Sequence, residues 1–218
     1  MMLIKFLKIF VLIIFLTTIS KAEQINVFNF TEDELKSLKV KKVRGADGKT
    51  SYTVGSNENG NYLRAEAHNA ASGLGKEVKI DLNITPFINI TWKVEKDLSG
   101  IDEKSKKGHD YAARVFVIKK TGKTALSNRA INYVFSSNEE VGEYWTSPFT
   151  KKSIDYVLST TKNNSNEWVT VKTNVKEDFK KLHNLEVNDI EGVAVMTDTD
   201  NSKKLAISYY QNIYFSSE

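Results

Sequence analysis

LAISYYQNIYF, residues 205–215, alternates apolar and polar side chains along its length. The apolar set lies at odd positions: Leu205, Ile207, Tyr209, Ile213 and Phe215. Successive side chains of a strand point to opposite faces, so a period of two predicts a half-buried strand with the odd positions in the core. FINITWKV, residues 87–94, has the same period, with Ile88, Ile90, Trp92 and Val94 on one face. We expect Trp92 and Trp168 to be core residues because both fit such patterns.

Similar segments continue through the chain, and turn signals such as Asp47-Gly48, Asn59-Gly60 and Thr121-Gly122 separate them. Roughly ten short strands with no alternation of strand and helix predict an all-β protein. We expect a jelly-roll-like antiparallel β-sandwich resembling carbohydrate-binding modules. Capping signals at residues 31–34 and 174–177 predict one or two short helices. No linker divides residues 23–218, which we interpret as one domain.

The first 22 residues, MMLIKFLKIFVLIIFLTTISKA, have the order of a secretory signal peptide: positive charge, an apolar run, then small residues. The alternative is an uncleaved anchor. The apolar stretch from Phe6 to Ile19 is shorter than the about 20 residues that a spanning helix needs. We therefore expect cleavage, a periplasmic or secreted location, and no stable membrane insertion afterwards.

Charge and cysteine content exclude several classes of protein. The chain has 31 basic and 27 acidic residues, and loss of Lys5, Lys8 and Lys21 with the signal leaves 28 against 27, a net charge of +1. This balance gives no support to nucleic-acid binding. The chain contains no cysteine, which excludes disulfides, thiolate metal sites and a lipid anchor on cysteine.

Five segments, in order, resemble the DUF3047 family of exported bacterial proteins of unknown function. They are FINITWKV (87–94), KGHDYAARVFV (107–117), AINYVF (130–135), GEYWTSPF (142–149) and VAVMTDTDN (193–201). The resemblance covers about residues 62–215 and implies export and a β-sandwich. Where it leads us to expect two aspartates after Gly108, this chain has His109-Asp110.

Three polar or aromatic residues are candidates for ligand contact. Arg114 lies inside an apolar strand, so it must form an ion pair or face a groove. We favour an ion pair with Asp110, with Glu66 as the other possible partner. Asn132 interrupts a neighbouring strand, and Trp145 lies in the segment VGEYWTSPF, where it either forms a platform or closes the end of the sandwich. Arginine, asparagine and an aromatic ring are side chains that recognise sugar hydroxyls.

Arg64, Glu66 and Asp110 complete the candidate ligand-binding set, although Arg64 and Glu66 share a strand face and could simply pair with each other. Asp198, Asp200 and Asn201 are candidate ligands of a structural calcium ion, because such oxygen atoms suit a hard cation. The alternative is a hairpin turn, since these residue types hydrogen-bond their own backbone. We expect no other cofactor.

These observations predict a non-catalytic exported binding module for a glycan or another small polar ligand. Two alternatives remain open. One is a glycan hydrolase or lyase using Glu66, Asp110 or Asp198 as acid or base, and the other is a structural protein of the cell envelope that packs against a partner. The sequence contains no nucleophile motif or dinucleotide-binding turn. It leaves the oligomeric state open.

Overall fold

A computed structural model describes residues 23–38, 40–124 and 127–218 of the chain. The predicted signal peptide, residues 1–22, lies outside these residues, so its cleavage stays a prediction. No helix in the described part of the chain is long and apolar enough to cross a membrane.

The described residues form thirteen strands and two helices. The strands are β1 (Gln24–Asn26), β2 (Val40–Lys42), β3 (Ser51–Asn57), β4 (Gly60–His68), β5 (Ala71–Asp81), β6 (Phe87–Lys96), β7 (Ala113–Lys119), β8 (Arg129–Ser136), β9 (Tyr144–Thr146), β10 (Ser153–Thr160), β11 (Val169–Asn174), β12 (Asp189–Asp198) and β13 (Leu205–Ser216). The helices are α1 (Glu32–Ser37) and α2 (Val175–His183).

Two sheets form a sandwich, which confirms the predicted fold class. The six-stranded sheet has the order β11-β6-β13-β4-β3, with β1 paired to β13. The seven-stranded sheet has the order β2-β5-β12-β7-β8-β10-β9. Among the strand pairs of the described residues, β8 with β10 is parallel and the others are antiparallel. The expectation of an entirely antiparallel sandwich is therefore wrong at this pair.

The main core lies between the sheets. The six-stranded sheet contributes Ile88, Ile90 and Trp92, and the seven-stranded sheet contributes Val115 and Val117, all fully buried. The indole Nε1 of Trp92 donates a hydrogen bond to Ser159 Oγ in β10 at 3.0 Å, so this side chain connects the two sheets. A buried indole N–H needs such a partner.

The inward positions of β13 change phase within the strand. Ser208 and Tyr210 are buried in the first half, whereas Ile213 and Phe215 are buried in the second half. The pairing of β13 with β6 shifts register between Gln211 and Tyr214. The extra residue of such a bulge moves the following side chains to the opposite face. The prediction that all odd positions face the core is thus wrong before the bulge, where Tyr209 points outward.

Both helices begin at the predicted capping residues. The Thr31 side chain accepts a hydrogen bond from the Glu34 N–H, and Asn174 accepts from Lys176 and Glu177. Phe179 of α2 is buried in the core, which holds this helix against the sandwich.

Candidate functional site

The candidate site lies on the face of the seven-stranded sheet that is turned away from the main core. Val115 and Val117 of β7 point into the core, so Arg114 and Phe116 point to the opposite face. Phe116 is paired in register with Asn132 of β8, and Arg114 with Met196 of β12. Strand pairing therefore brings the two predicted polar residues, Arg114 and Asn132, to one surface.

Residues of this surface line a cavity of about 590 Å³. Its lining includes six side chains used below: His109, Arg114, Asn132, Phe149, Asp198 and Asp200. Phe149 is 56 % exposed at its rim, whereas Arg114 and Asn132 are almost completely buried. The cavity thus combines buried polar groups with an accessible aromatic ring, which is the usual character of a small-molecule site.

Arg114 forms a buried ion pair with Asp198. Arg114 Nη2 lies 2.5 Å from Asp198 Oδ2, and the two side chains are 6 % and 2 % exposed. The rings of Tyr111 and Phe116 lie 5.3 and 5.1 Å from the guanidinium carbon. The predicted ion pair exists, but Asp110 and Glu66 were the wrong partners. The reason is register: Met196 lies opposite Arg114, which places Asp198 at the adjacent end of β12.

Two buried polar atoms, each on a residue that lines the cavity, lack a hydrogen-bond partner within the described residues. They are Arg114 Nε, a donor, and Asn132 Oδ1, an acceptor. Leaving a buried polar group unsatisfied costs about 1–3 kcal/mol. A ligand that offers both an acceptor and a donor would satisfy these atoms.

Asp155, which was not among the predicted site residues, contacts two residues of the cavity lining, Asn132 and His109. Its fully buried carboxylate accepts a hydrogen bond from Asn132 Nδ2 and lies 2.8 Å from His109 Nε2. Asp155 lies beside Asn132 in the parallel β8–β10 register. An aspartate between Ile154 and Tyr156 in an apolar strand is the signal that could have identified it.

Three carboxylates gather at the end of the cavity. Oxygen atoms of Asp110, Asp198 and Asp200 all lie within 4.8 Å of one another. Burial raises the pKa of the Asp198 carboxyl, and the charges of Asp110 and Asp200 act in the same direction, whereas the Arg114 guanidinium opposes the shift and favours the ionised carboxylate of the ion pair. Burial and the charge of Asp110 also raise the pKa of Asp200. A hydroxyl donor or a cation near these groups would relieve their mutual repulsion.

Asn201 is hydrogen-bonded to Asp110 through its side chain and its backbone. Its side-chain nitrogen donates to Asp110 Oδ1 at 2.8 Å, and its backbone N–H also donates to Asp110. Residues 200–202 form a turn, as the alternative to a calcium site predicts. This turn connects the two sheets, since β12 and β13 belong to different ones, so it does not close a hairpin.

Calcium binding at Asp198, Asp200 and Asn201 stays a prediction, and the structure adds Asp110 beside the two aspartates. We expect millimolar calcium to raise the melting temperature of chelator-treated protein, because an ion that binds only the folded state stabilises it. Differential scanning calorimetry with calcium, with magnesium and with chelator measures this. Identical melting temperatures in all three samples would contradict calcium binding.

The remaining candidates lie outside the cavity lining. Trp145 packs with Tyr111, Val134 and Val157, and the Lys104 ammonium lies 5.1 Å from its ring. Arg64 and Glu66 lie on the six-stranded sheet and pair with each other at 2.7 Å. Phe149, the last residue of the segment GEYWTSPF, lines the cavity but was not among the predicted site residues.

Residues 36–214 match the model of a family described as "Protein of unknown function (DUF3047)". The chain belongs to the DUF3047 family. This match confirms the resemblance carried by the five segments between residues 87 and 201. A search of curated proteins finds no match to this DUF3047 chain.

Solved structures with a similar arrangement include three proteins at 10 % sequence identity. The xyloglucanase domain of NopAA, a type three effector from Sinorhizobium fredii in complex with cellobiose, has a TM-score of 0.48, covering 82 % of this chain and 92 % of that chain. A family 30 carbohydrate binding module also has a TM-score of 0.48, with 90 % and 88 % covered. Endoglucanase 3 of Trichoderma harzianum, from family GH12, has a TM-score of 0.43, with 91 % and 95 % covered.

Proposed function

We propose that this DUF3047 protein is a non-catalytic binding module whose cavity holds a small polar ligand of the saccharide class. The observation that carries the proposal is the pair of unpartnered buried atoms, Arg114 Nε and Asn132 Oδ1, in a cavity with an exposed aromatic rim. Buried polar atoms without a hydrogen-bond partner lower the stability of the free protein, so a ligand that supplies those partners gains affinity.

Each group in the cavity matches one part of a sugar. Arg114 Nε donates to a hydroxyl oxygen, while Asn132 Oδ1 and the Asp200 carboxylate accept from hydroxyl hydrogens. The Phe149 ring covers the C–H surface of the pyranose, since aromatic side chains add packing energy beyond their buried area. A ligand with several hydroxyls on one apolar ring fits this combination, and a purely apolar ligand leaves the polar atoms unsatisfied.

Replacing Phe149 by alanine is expected to weaken saccharide binding about fivefold to tenfold, the loss of ~1–1.4 kcal/mol of ring contact. Isothermal titration calorimetry with a panel of soluble mono- and disaccharides measures the affinity. Because Phe149 is 56 % exposed, its removal should leave the melting temperature unchanged within about 2 °C.

Tyr144→Ala is the matched control, since Tyr144 is 51 % exposed in the same part of the chain and does not line the cavity. This variant should bind the saccharide as the native protein does. The proposal fails if no saccharide in the panel binds, or if both variants weaken binding equally.

A glycan hydrolase is the second candidate function, favoured by the raised pKa of Asp198 and of Asp200 in the cavity. One oxygen of each of Asp110, Asp198 and Asp200 lies within 4.8 Å of the others, which is compatible with the about 5–5.5 Å between the two carboxyl groups of a retaining enzyme. Release of reducing ends from the bound saccharide would replace the binding proposal with the enzymatic one.

We also propose that the protein is exported to the periplasm or beyond the cell, on the strength of residues 1–22. Ser20 and Ala22 are the small residues before the expected cut. The N-terminal sequence of protein recovered by osmotic shock should begin at Glu23. An N-terminus at Met1 or Met2 on cytoplasmic protein would contradict export.

A further inference from the structure

Three aromatic side chains meet on the outer face of the six-stranded sheet, on the side of the molecule opposite the cavity-bearing sheet. Tyr62 lies in β4, Tyr209 in β13, and Trp168 directly precedes β11. The ring centroids of Tyr62 and Tyr209 are 5.6 Å apart, and Trp168 lies 6.0 Å from each. We call these three residues the aromatic cluster. The expectation that Trp168 is a core residue is wrong, because 36 % of it is exposed.

The backbone of the sheet positions the aromatic cluster. Leu63 and Tyr210 point into the core, so their neighbours Tyr62 and Tyr209 must point outward. The Tyr62 ring lies across Gly55 of β3, where a Cβ atom would approach ring atoms to 2.5 Å. Glycine in a strand interior is unfavourable unless it allows a close approach of this kind. Gly55 therefore acts as a positioning residue for the Tyr62 ring.

Charged side chains around the aromatic cluster neutralise one another. Arg64 pairs with Glu66 at 2.7 Å, and the Tyr209 hydroxyl donates to Glu95 at 2.5 Å. The Lys93 ammonium lies 5.1 Å from the centre of the Tyr209 ring. The charged groups beside the rings are thus two cations, Arg64 and Lys93, and two carboxylates, Glu66 and Glu95. These four groups leave no excess charge beside the rings.

We propose that the aromatic cluster is a second binding surface, which takes an uncharged polysaccharide chain. Exposed rings stack on the C–H faces of sugars, and the polar side chains beside them reach the hydroxyls. Charged residues lie among the rings, whereas the centre of a protein–protein interface is depleted of charge. The balanced charge beside the rings complements a neutral chain. The surface is separate from the cavity and does not depend on its ligand.

The proposal is tested by depletion of the mature protein from solution on three insoluble, uncharged polysaccharides: amorphous cellulose, starch and chitin. We expect retention on at least one of them and a loss of affinity of about tenfold in Trp168→Ala. Gly55→Ala should lower affinity as well, because the added methyl group displaces the Tyr62 ring. Both variants should melt within a few degrees of the native protein, since their positions are on the surface.

Tyr144→Ala again serves as the matched control, because Tyr144 is an exposed aromatic residue outside the aromatic cluster. It should be retained as the native protein is. Phe149→Ala should also be retained, which separates this surface from the cavity. Absence of retention on all three polysaccharides overturns the proposal, as does equal retention of native protein and Trp168→Ala. Loss of retention in Phe149→Ala alone assigns the polysaccharide to the cavity instead.

Discussion

Replacing Asp198 by asparagine should lower the free energy of unfolding by about 3–5 kcal/mol. The substitution keeps the volume of the side chain and removes its charge, so the Arg114 guanidinium, 6 % exposed in its side chain, loses its buried counter-ion. A buried charge without a partner costs far more than the pair contributed when it was intact. Urea denaturation at neutral pH, followed by far-ultraviolet circular dichroism, measures the change.

Glu66→Gln is the matched control for this prediction. Its pair with Arg64 has a similar distance, 2.7 Å, but the two side chains are 40 % and 32 % exposed. Exposed pairs contribute about 0–1 kcal/mol, because water replaces the lost partner. We expect the double variant Arg114→Met with Asp198→Leu to lose less than Asp198→Asn, since it leaves no charge buried. If Asp198→Asn and Glu66→Gln lower the free energy of unfolding equally, burial of the ion pair does not determine the loss of stability.

The sequence predicted the sandwich because alternation is a local property of each strand. Residues 88–94 illustrate this: Ile88, Ile90, Trp92 and Val94 are all buried as their spacing predicts. It also predicted that Arg114 needs a partner, since an arginine among valines has no other way to compensate its charge. The identity of that partner depends on the β7–β12 register, which joins residues distant in sequence. No local pattern contains this information.

Two features of the candidate surfaces could not be predicted for the same reason. The bulge in β13 reverses which side chains face outward, and Asn212 with a φ of 48° marks it only once the structure is known. Tyr209 consequently joins the aromatic cluster rather than the core. Asp155 meets Asn132 and His109 because β8 and β10 pair in parallel, which the expectation of antiparallel pairing did not allow.

Replacing Trp92 by alanine should lower the free energy of unfolding by about 3–5 kcal/mol, the usual cost of removing a large buried aromatic side chain. Trp92 is fully buried, and its ring lies 5.5 Å from that of Phe135 in the other sheet. The substitution removes both this contact and the hydrogen bond to Ser159. Guanidinium chloride denaturation measures this loss of stability. The space left by the indole ring should stay unfilled, because the core residues on both sides of it hold the two sheets in place.

The comparison with Trp168 separates burial from residue type. Trp168→Ala removes the same side chain from a partly exposed position, where it contacts Tyr62 and Tyr209, so the free energy of unfolding should fall by only about 0.5–1.5 kcal/mol. Trp92→Phe should fall between the two, at about 1–3 kcal/mol, because it keeps most of the apolar area but leaves the buried Ser159 hydroxyl without its indole partner. If Trp92→Phe is as stable as the native protein, the inter-sheet hydrogen bond does not contribute, and packing alone joins the two sheets at this point.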